Sequence, residues 1–127
     1  MTIAHVNIPV GDLHRSRAFY EAALRPLGYA VGYIGDDSVG LEVDGREPIA
    51  LRLGPAPNRP THVAFAAGSA DDVDEFYAAA LEAGGRDNGP PGERPYGGYY
   101  YAAFVLDPDG HNIEALFRGQ EGSAENA

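Results

Sequence analysis

The chain repeats itself. Sliding the sequence by 57 residues lays "AHVNIPVGDLHRSRAFYEAALRPLG", from Ala4, over "THVAFAAGSADDVDEFYAAALEAGG", from Thr61, with nine identities in one ungapped frame. They are His5/His62, Val6/Val63, Gly11/Gly68, Phe19/Phe76, Tyr20/Tyr77, Ala22/Ala79, Ala23/Ala80, Leu24/Leu81 and Gly28/Gly85. A duplicated supersecondary unit narrows the fold to arrangements in which two like units bury apolar faces together. At 127 residues, with 44% hydrophobic content, both units fit one compact domain over 1–118. Module one covers about 1–57 and module two about 58–118, leaving 119–127, "GQEGSAENA", as a solvated tail.

Each unit begins with an alternating segment and continues into an amphipathic helix. In the first, "IAHVNIPV" alternates as a strand does, Gly11-Asp12 supplies a turn and helix start, and Leu13, Phe19, Tyr20, Ala23, Leu24 and Leu27 line one helical face up to Gly28. In the second, Ser69 followed by Asp72 resembles a capping box, and Val73, Phe76, Tyr77, Ala80 and Leu81 form the stripe ahead of Gly84-Gly85. Strand candidates "YAVGYIG", "SVGLEVD" and "PIALRLG" follow the first helix, divided by Asp36-Asp37 and Asp44-Gly45 turns. After the second helix, "GGRDNGPPGERPYGG" reads as a long irregular loop, and "YYYAAFVL" and "NIEALFR" as the closing strands. The unit is β-α-β-β-β, and the fold class is α+β.

Strand parity puts three titratable residues on the helix-free side of their sheets. Val6, Ile8 and Val10 form the apolar side of the first strand, so His5 falls on the other; Val63 and Phe65 likewise oppose His62. Both histidines therefore leave the helix-packed face. Glu114 opposes Ile113, Ala115 and Phe117 in the last strand and points the same way, which matters because a lone buried carboxylate is costly.

Composition limits what such a site can meet. Nine basic against nineteen acidic residues give a net charge of -10, which repels a phosphate backbone, so no nucleic acid is expected; the same charge attracts cationic small molecules. Without cysteine there is neither a disulfide nor a thiolate metal site, so a transition metal must use His, Asp or Glu. No apolar run approaches the ~18 residues of a membrane span. Met1 leads straight into a strand-like segment without a signal sequence, and a cytoplasmic protein is expected.

The paired "AHV" and "THV" strands, the "FY.AAL" helices and "DPDGHNIE" in the last hairpin resemble the vicinal oxygen chelate superfamily of glyoxalases, fosfomycin-resistance enzymes, extradiol dioxygenases and bleomycin-resistance proteins. The resemblance spans about Ile3 to Phe117. It implies two tandem β-α-β-β-β modules curled into an open β-barrel around one divalent metal, with His5, His62 and Glu114 as ligands. Two imidazoles and a carboxylate suit Fe, Mn, Ni, Zn or Co and leave positions for water and a bidentate oxygen substrate. The implied function is a metal-dependent lyase, isomerase or dioxygenase acting on a small oxygenated metabolite. The alternative is a metal-free protein that sequesters a cationic ligand, like bleomycin-resistance proteins.

One departure from the family pattern bears on the reaction. Glyoxalase-type members carry a second glutamate on the last strand of the first module, where this chain has Ala50-Leu51-Arg52. That argues against a proton-abstracting isomerase and leaves a three-ligand site. Arg52 is a candidate for an anionic substrate group. Tyr99 and Tyr101 share one face and Tyr100 the other, so the tyrosines either pack within the sheet or offer one set as phenol donors to a pocket; Tyr99 and Tyr101 are the candidates for that second role. His111 reads as a turn residue and His14 as an exposed one. A homodimer is expected, with modules paired within a chain or exchanged between two.

Overall fold

The structure, a computed structural model, describes residues 3–55 and 59–119. Module one comprises β1 (Val6–Val10), α1 (Leu13–Leu24), a 3-10 turn at Arg25–Leu27, β2 (Ala30–Ile34), β3 (Ser38–Val43) and β4 (Arg46–Leu53). Module two comprises β5 (His62–Ala66), α2 (Ala70–Glu82), β6 (Arg86–Glu93), β7 (Tyr99–Leu106) and β8 (Asn112–Gly119). The strand orders β1-β4-β3-β2 and β5-β8-β7-β6 are the same order used twice. In each sheet the first strand runs parallel to the last, and the other pairings are antiparallel. The two sheets curve and stay open instead of closing into a barrel. Among the described residues no helix is long and apolar enough to cross a membrane.

The helix boundaries follow their caps. Asp12 accepts the Arg15 N–H at 3.0 Å, and Ser69 accepts the Asp72 N–H at 3.1 Å, each satisfying a donor that the helix leaves open. Gly28, at φ 91°, ends the 3-10 turn after α1 in the left-handed conformation. Asp44 at φ 52° and Gly45 at φ 74° turn β3 into β4.

Both helices bury their stripes in a single core. Phe19, Tyr20 and Leu24 of α1 and Val73 and Phe76 of α2 meet Ile8, Leu51, Phe65 and Ile113 from the two sheets. Burial of each large apolar side chain contributes ~1.5–3 kcal/mol. Gly85 leaves room for Phe19 of module one to pack beside Val105: a Cβ there would lie 2.5 Å from Val105 and 2.7 Å from Phe19.

A polar clasp locks module two onto module one. Tyr20 donates its hydroxyl to Asp107 Oδ2 at 2.5 Å, while Asp107 Oδ1 accepts from the Asp109 and His111 N–H groups at 2.9 and 2.8 Å. Asp109 in turn accepts from Gly11 N at 3.0 Å and Ser16 Oγ at 3.3 Å, with the Arg15 guanidinium 3.6 Å away. Thr61 N–H donates to His111 Nδ1 at 2.9 Å, so Nε2 carries the proton and donates to the Pro9 carbonyl at 2.7 Å. Burial, and then the Asp107 charge, push the Tyr20 hydroxyl far above its ordinary range, so it acts as a donor.

Three details differ from expectation. The proline-rich stretch after α2 contains β6, where a wholly irregular loop was expected. It forms because β6 is an edge strand bonded only to β7, so Pro90 and Pro91 interrupt no ladder on the outer side, and register shifts at Gly89 absorb the mismatch. β1 begins at Val6, leaving Ile3, Ala4 and His5 outside the strand. β8 runs through Gly119, and the rest of the expected tail lies outside the described residues.

Candidate functional site

The site is built on β8, between β5 and β7. Ile113 and Ala115 enter the core, so Glu114 emerges on the helix-free face, paired with Ala64 on one side and Phe104 on the other. It is 3% exposed. Two donors account for a carboxylate buried there: His62 Nε2 lies 2.9 Å from Oε1, and the Tyr100 hydroxyl donates to Oε2 at 2.5 Å. His62 Nε2 must carry a proton to make that bond, because a carboxylate only accepts.

Tyr100 reaches Glu114 by the same alternation that carries Tyr99 and Tyr101 away. Burial, followed by the hydrogen bond and charge of Glu114, pushes its hydroxyl up to about 12. The residue is therefore a phenol donor at neutral pH. Tyr99 and Tyr101 stand on the helix-facing side with rings 6.3 Å apart, and Tyr101 donates to Asp74 of α2 at 2.7 Å. Burial and then Asp74 push Tyr101 up to about 12 as well.

These shifts carry a pH prediction with a definite sign. A tyrosine whose folded pKa exceeds its unfolded value of 10.0 keeps its proton in the folded chain after the unfolded chain has lost it. Its contribution is complete below pH 10 and lost as pH rises toward about 12. Ultraviolet titration of the folded chain should show a late tyrosine phase, and Tyr100→Phe should shrink it. An unchanged late amplitude in that variant would show that Tyr100 ionises normally.

Aromatic rings and arginines surround the carboxylate. The Tyr96 ring meets Tyr100 edge-on at 5.0 Å, and the Arg118 guanidinium lies 5.1 Å from the Tyr100 centroid. On the other flank the Phe104 ring sits 6.1 Å from His62 and carries the Arg94 guanidinium at 5.4 Å.

The remaining sequence candidates are spread over the fold. His5 is exposed ahead of β1, and among the described residues no three His, Asp or Glu side chains gather closely enough to hold a metal. Thus His62 and Glu114 converge while His5 stands apart. Arg52 is exposed, on the face opposite the buried Leu51, and makes no described ion pair. His14 is exposed. His111 is fully buried in the clasp, a role not evident from the turn motif that contains it.

Register also identifies the first-module counterpart of Glu114. Asn7 pairs with Ala50 as Ala64, its repeat equivalent, pairs with Glu114. The second acidic position is thus occupied by a methyl group. Glu47 does not replace it; its carboxylate accepts from Tyr33 N at 2.6 Å and lies over Gly32.

Fold and site together define a two-module protein with a carboxylate-centred face. The family model of the Glyoxalase/Bleomycin resistance protein/Dioxygenase superfamily matches residues 2–115, and the chain belongs to that superfamily. A glyoxalase/bleomycin resistance protein from Albidiferax ferrireducens T118 is 32% identical, with 91% of this chain and 98% of that one covered and a TM-score of 0.79. A glyoxalase-related enzyme from Fulvimarina pelagi is 24% identical, with 93% and 88% covered and a TM-score of 0.75; this likeness speaks for the fold. The same holds for a family enzyme from Burkholderia phytofirmans PsJN, at 20% identity, 92% and 98% coverage and a TM-score of 0.73. A comparison with curated proteins gives no match.

Proposed function

We propose that the chain is a divalent-metal-dependent enzyme, a lyase, isomerase or dioxygenase, that acts on a small oxygenated metabolite at the helix-free face of module two. The observation that carries this reading is the approach of His62 Nε2 to Glu114 Oε1, 2.9 Å, on a face where both residues can address a common ligand. The donor set fits a metal by its chemistry: His62 and Glu114 with His5 provide two imidazoles and one carboxylate. When bound, the metal supplies a Lewis acid for a substrate oxygen.

The other residues position and limit that chemistry. Tyr100 holds its proton and fixes Oε2 of Glu114, so Glu114 presents Oε1 in one direction. Ala50 provides no base on the module-one side, which disfavours a reaction that needs a second carboxylate to move a proton between carbons. Turnover of a screened metabolite should require added metal and vanish with chelator; turnover that persists with chelator would contradict the metal reading.

The separation of His5, in a chain whose own modules stay joined through the core and clasp, supports a homodimer with exchange of site residues across its interface. In that arrangement, His5 of one chain completes the His62 and Glu114 site of the second. Refolding His5→Ala together with Glu114→Ala should then rebuild one intact site in each heterodimer, up to about a quarter of parental activity after random mixing. No recovery in a mixture shown to contain heterodimers would contradict the exchange. Light scattering at micromolar concentration should exceed the mass of one 13.4 kDa chain, and a monomer mass would contradict the dimer.

A metal-free ligand-binding protein is the second reading, favoured by the fact that both Glu114 oxygens already have donors. Under that reading chelator leaves ligand binding unchanged.

A further inference from the structure

The side chains flanking Glu114 have a chemical bias opposite to that of the chain. The net charge is -10, yet Arg118 and Arg94 each cover an aromatic ring on the Glu114 face, and neither is in a described ion pair. All nine basic residues are arginines, whose planar guanidinium matches a carboxylate with two parallel hydrogen bonds.

The geometry points to a small planar carboxylic acid, about one aromatic ring in length, as the ligand class of this face, with its carboxylate on Arg118 and its ring against Tyr96. Tyr100 sets the spacing. Its buried ring lies under the Arg118 guanidinium at 5.1 Å, and its hydroxyl is 2.5 Å from Glu114, so it holds the cation about one ring away from the His62–Glu114 pair. An oxygen at the far end of a ring-sized molecule lying over it meets the half-exposed His62 side chain. Tyr96, which is 54% exposed, supplies the aromatic surface for the ligand ring.

Charge decides between anions of equal fit. A field from -10 net charge opposes a dianion more than a monoanion, so one arginine selects a carboxylate over a phosphate ester. The same arginine disfavours a cation at this position despite the acidity of the chain. The inference rests on the helix-free face being the ligand site and is independent of metal.

The test uses the chelator-treated full chain, labelled with nitrogen-15 and titrated separately with benzoate, benzamide, benzamidine and phenyl phosphate. Benzoate should shift the amides of Tyr100, Glu114 and Arg118 and bind at least about tenfold more tightly than the other three probes. Arg118→Gln should weaken benzoate by about tenfold or more, Tyr96→Ala by a smaller factor, and Arg17→Gln on α1 by less than about twofold. Equal or tighter binding of benzamide or benzamidine overturns the proposal, as does an Arg118→Gln variant that binds like the parent. Phenyl phosphate that binds tenfold more tightly than benzoate would reassign the site to phosphate esters. A chain that selects benzoate but retains no metal would sink the metal reading alone; one that retains metal but does not distinguish benzoate from benzamide would sink this one alone.

Discussion

Asp107→Ala should destabilise the chain by about 3–5 kcal/mol, because one carboxylate satisfies three donors at the module boundary. Its removal leaves the Tyr20 hydroxyl buried without an acceptor and frees two N–H groups of the turn that presents Asp109 and His111 to module one. Tyr20→Phe is milder, about 1–2 kcal/mol, since Asp107 keeps its two backbone donors. The expected result is a lower urea midpoint at unchanged slope for both variants, in that order. An Asp107→Ala midpoint equal to that of the parent would mean that apolar packing alone joins the modules.

Glu114→Gln should weaken metal retention by on the order of 100-fold or more while leaving a folded chain. The amide has nearly the volume of the carboxylate but loses its charge, and one of its two ends becomes a donor. That end can face the Tyr100 hydroxyl, which then accepts where it donated in the parent, while the amide oxygen keeps the His62 N–H. Both contacts therefore survive while the charge is lost. Metal titration beside thermal unfolding separates the two effects: a small shift in melting temperature with a large loss of affinity is expected, and unaltered affinity would remove Glu114 from the ligand set.

Much of this architecture was legible because a repeat fixes strand parity twice. The 57-residue offset that aligns His5 with His62 also relates Asn7 to Ala64, whose strand partners are Ala50 and Glu114, so the register agrees with the missing first-module carboxylate that the family resemblance located at Ala50-Leu51-Arg52. Alternation likewise restricted the tyrosines to two sets, but it could not say which set met Glu114, because both faces of β7 are covered by side chains. Other features depend on contacts between segments far apart in sequence. β6 was hidden by its prolines, whose tolerance comes from an edge position that only the sheet order defines. His111 looked like an ordinary turn residue because its partners, Pro9 and Thr61, lie 102 and 50 residues away. The separation of His5 from His62 depends on how the two sheets are placed in one chain, which alternation within a strand does not encode.

Under the proposed function His5, His62 and Glu114 hold one metal ion, and His5 is the member most open to test because it stands apart in the single chain. Metal analysis of untagged parent, His5→Ala, His62→Ala and Glu114→Ala proteins after identical loading and desalting decides whether all three are ligands. Close to one divalent ion per parent chain and loss of that ion in each variant is the expected result. Metal content equal to the parent in all three variants would contradict the assignment, and parental content in His5→Ala alone would remove His5 from it.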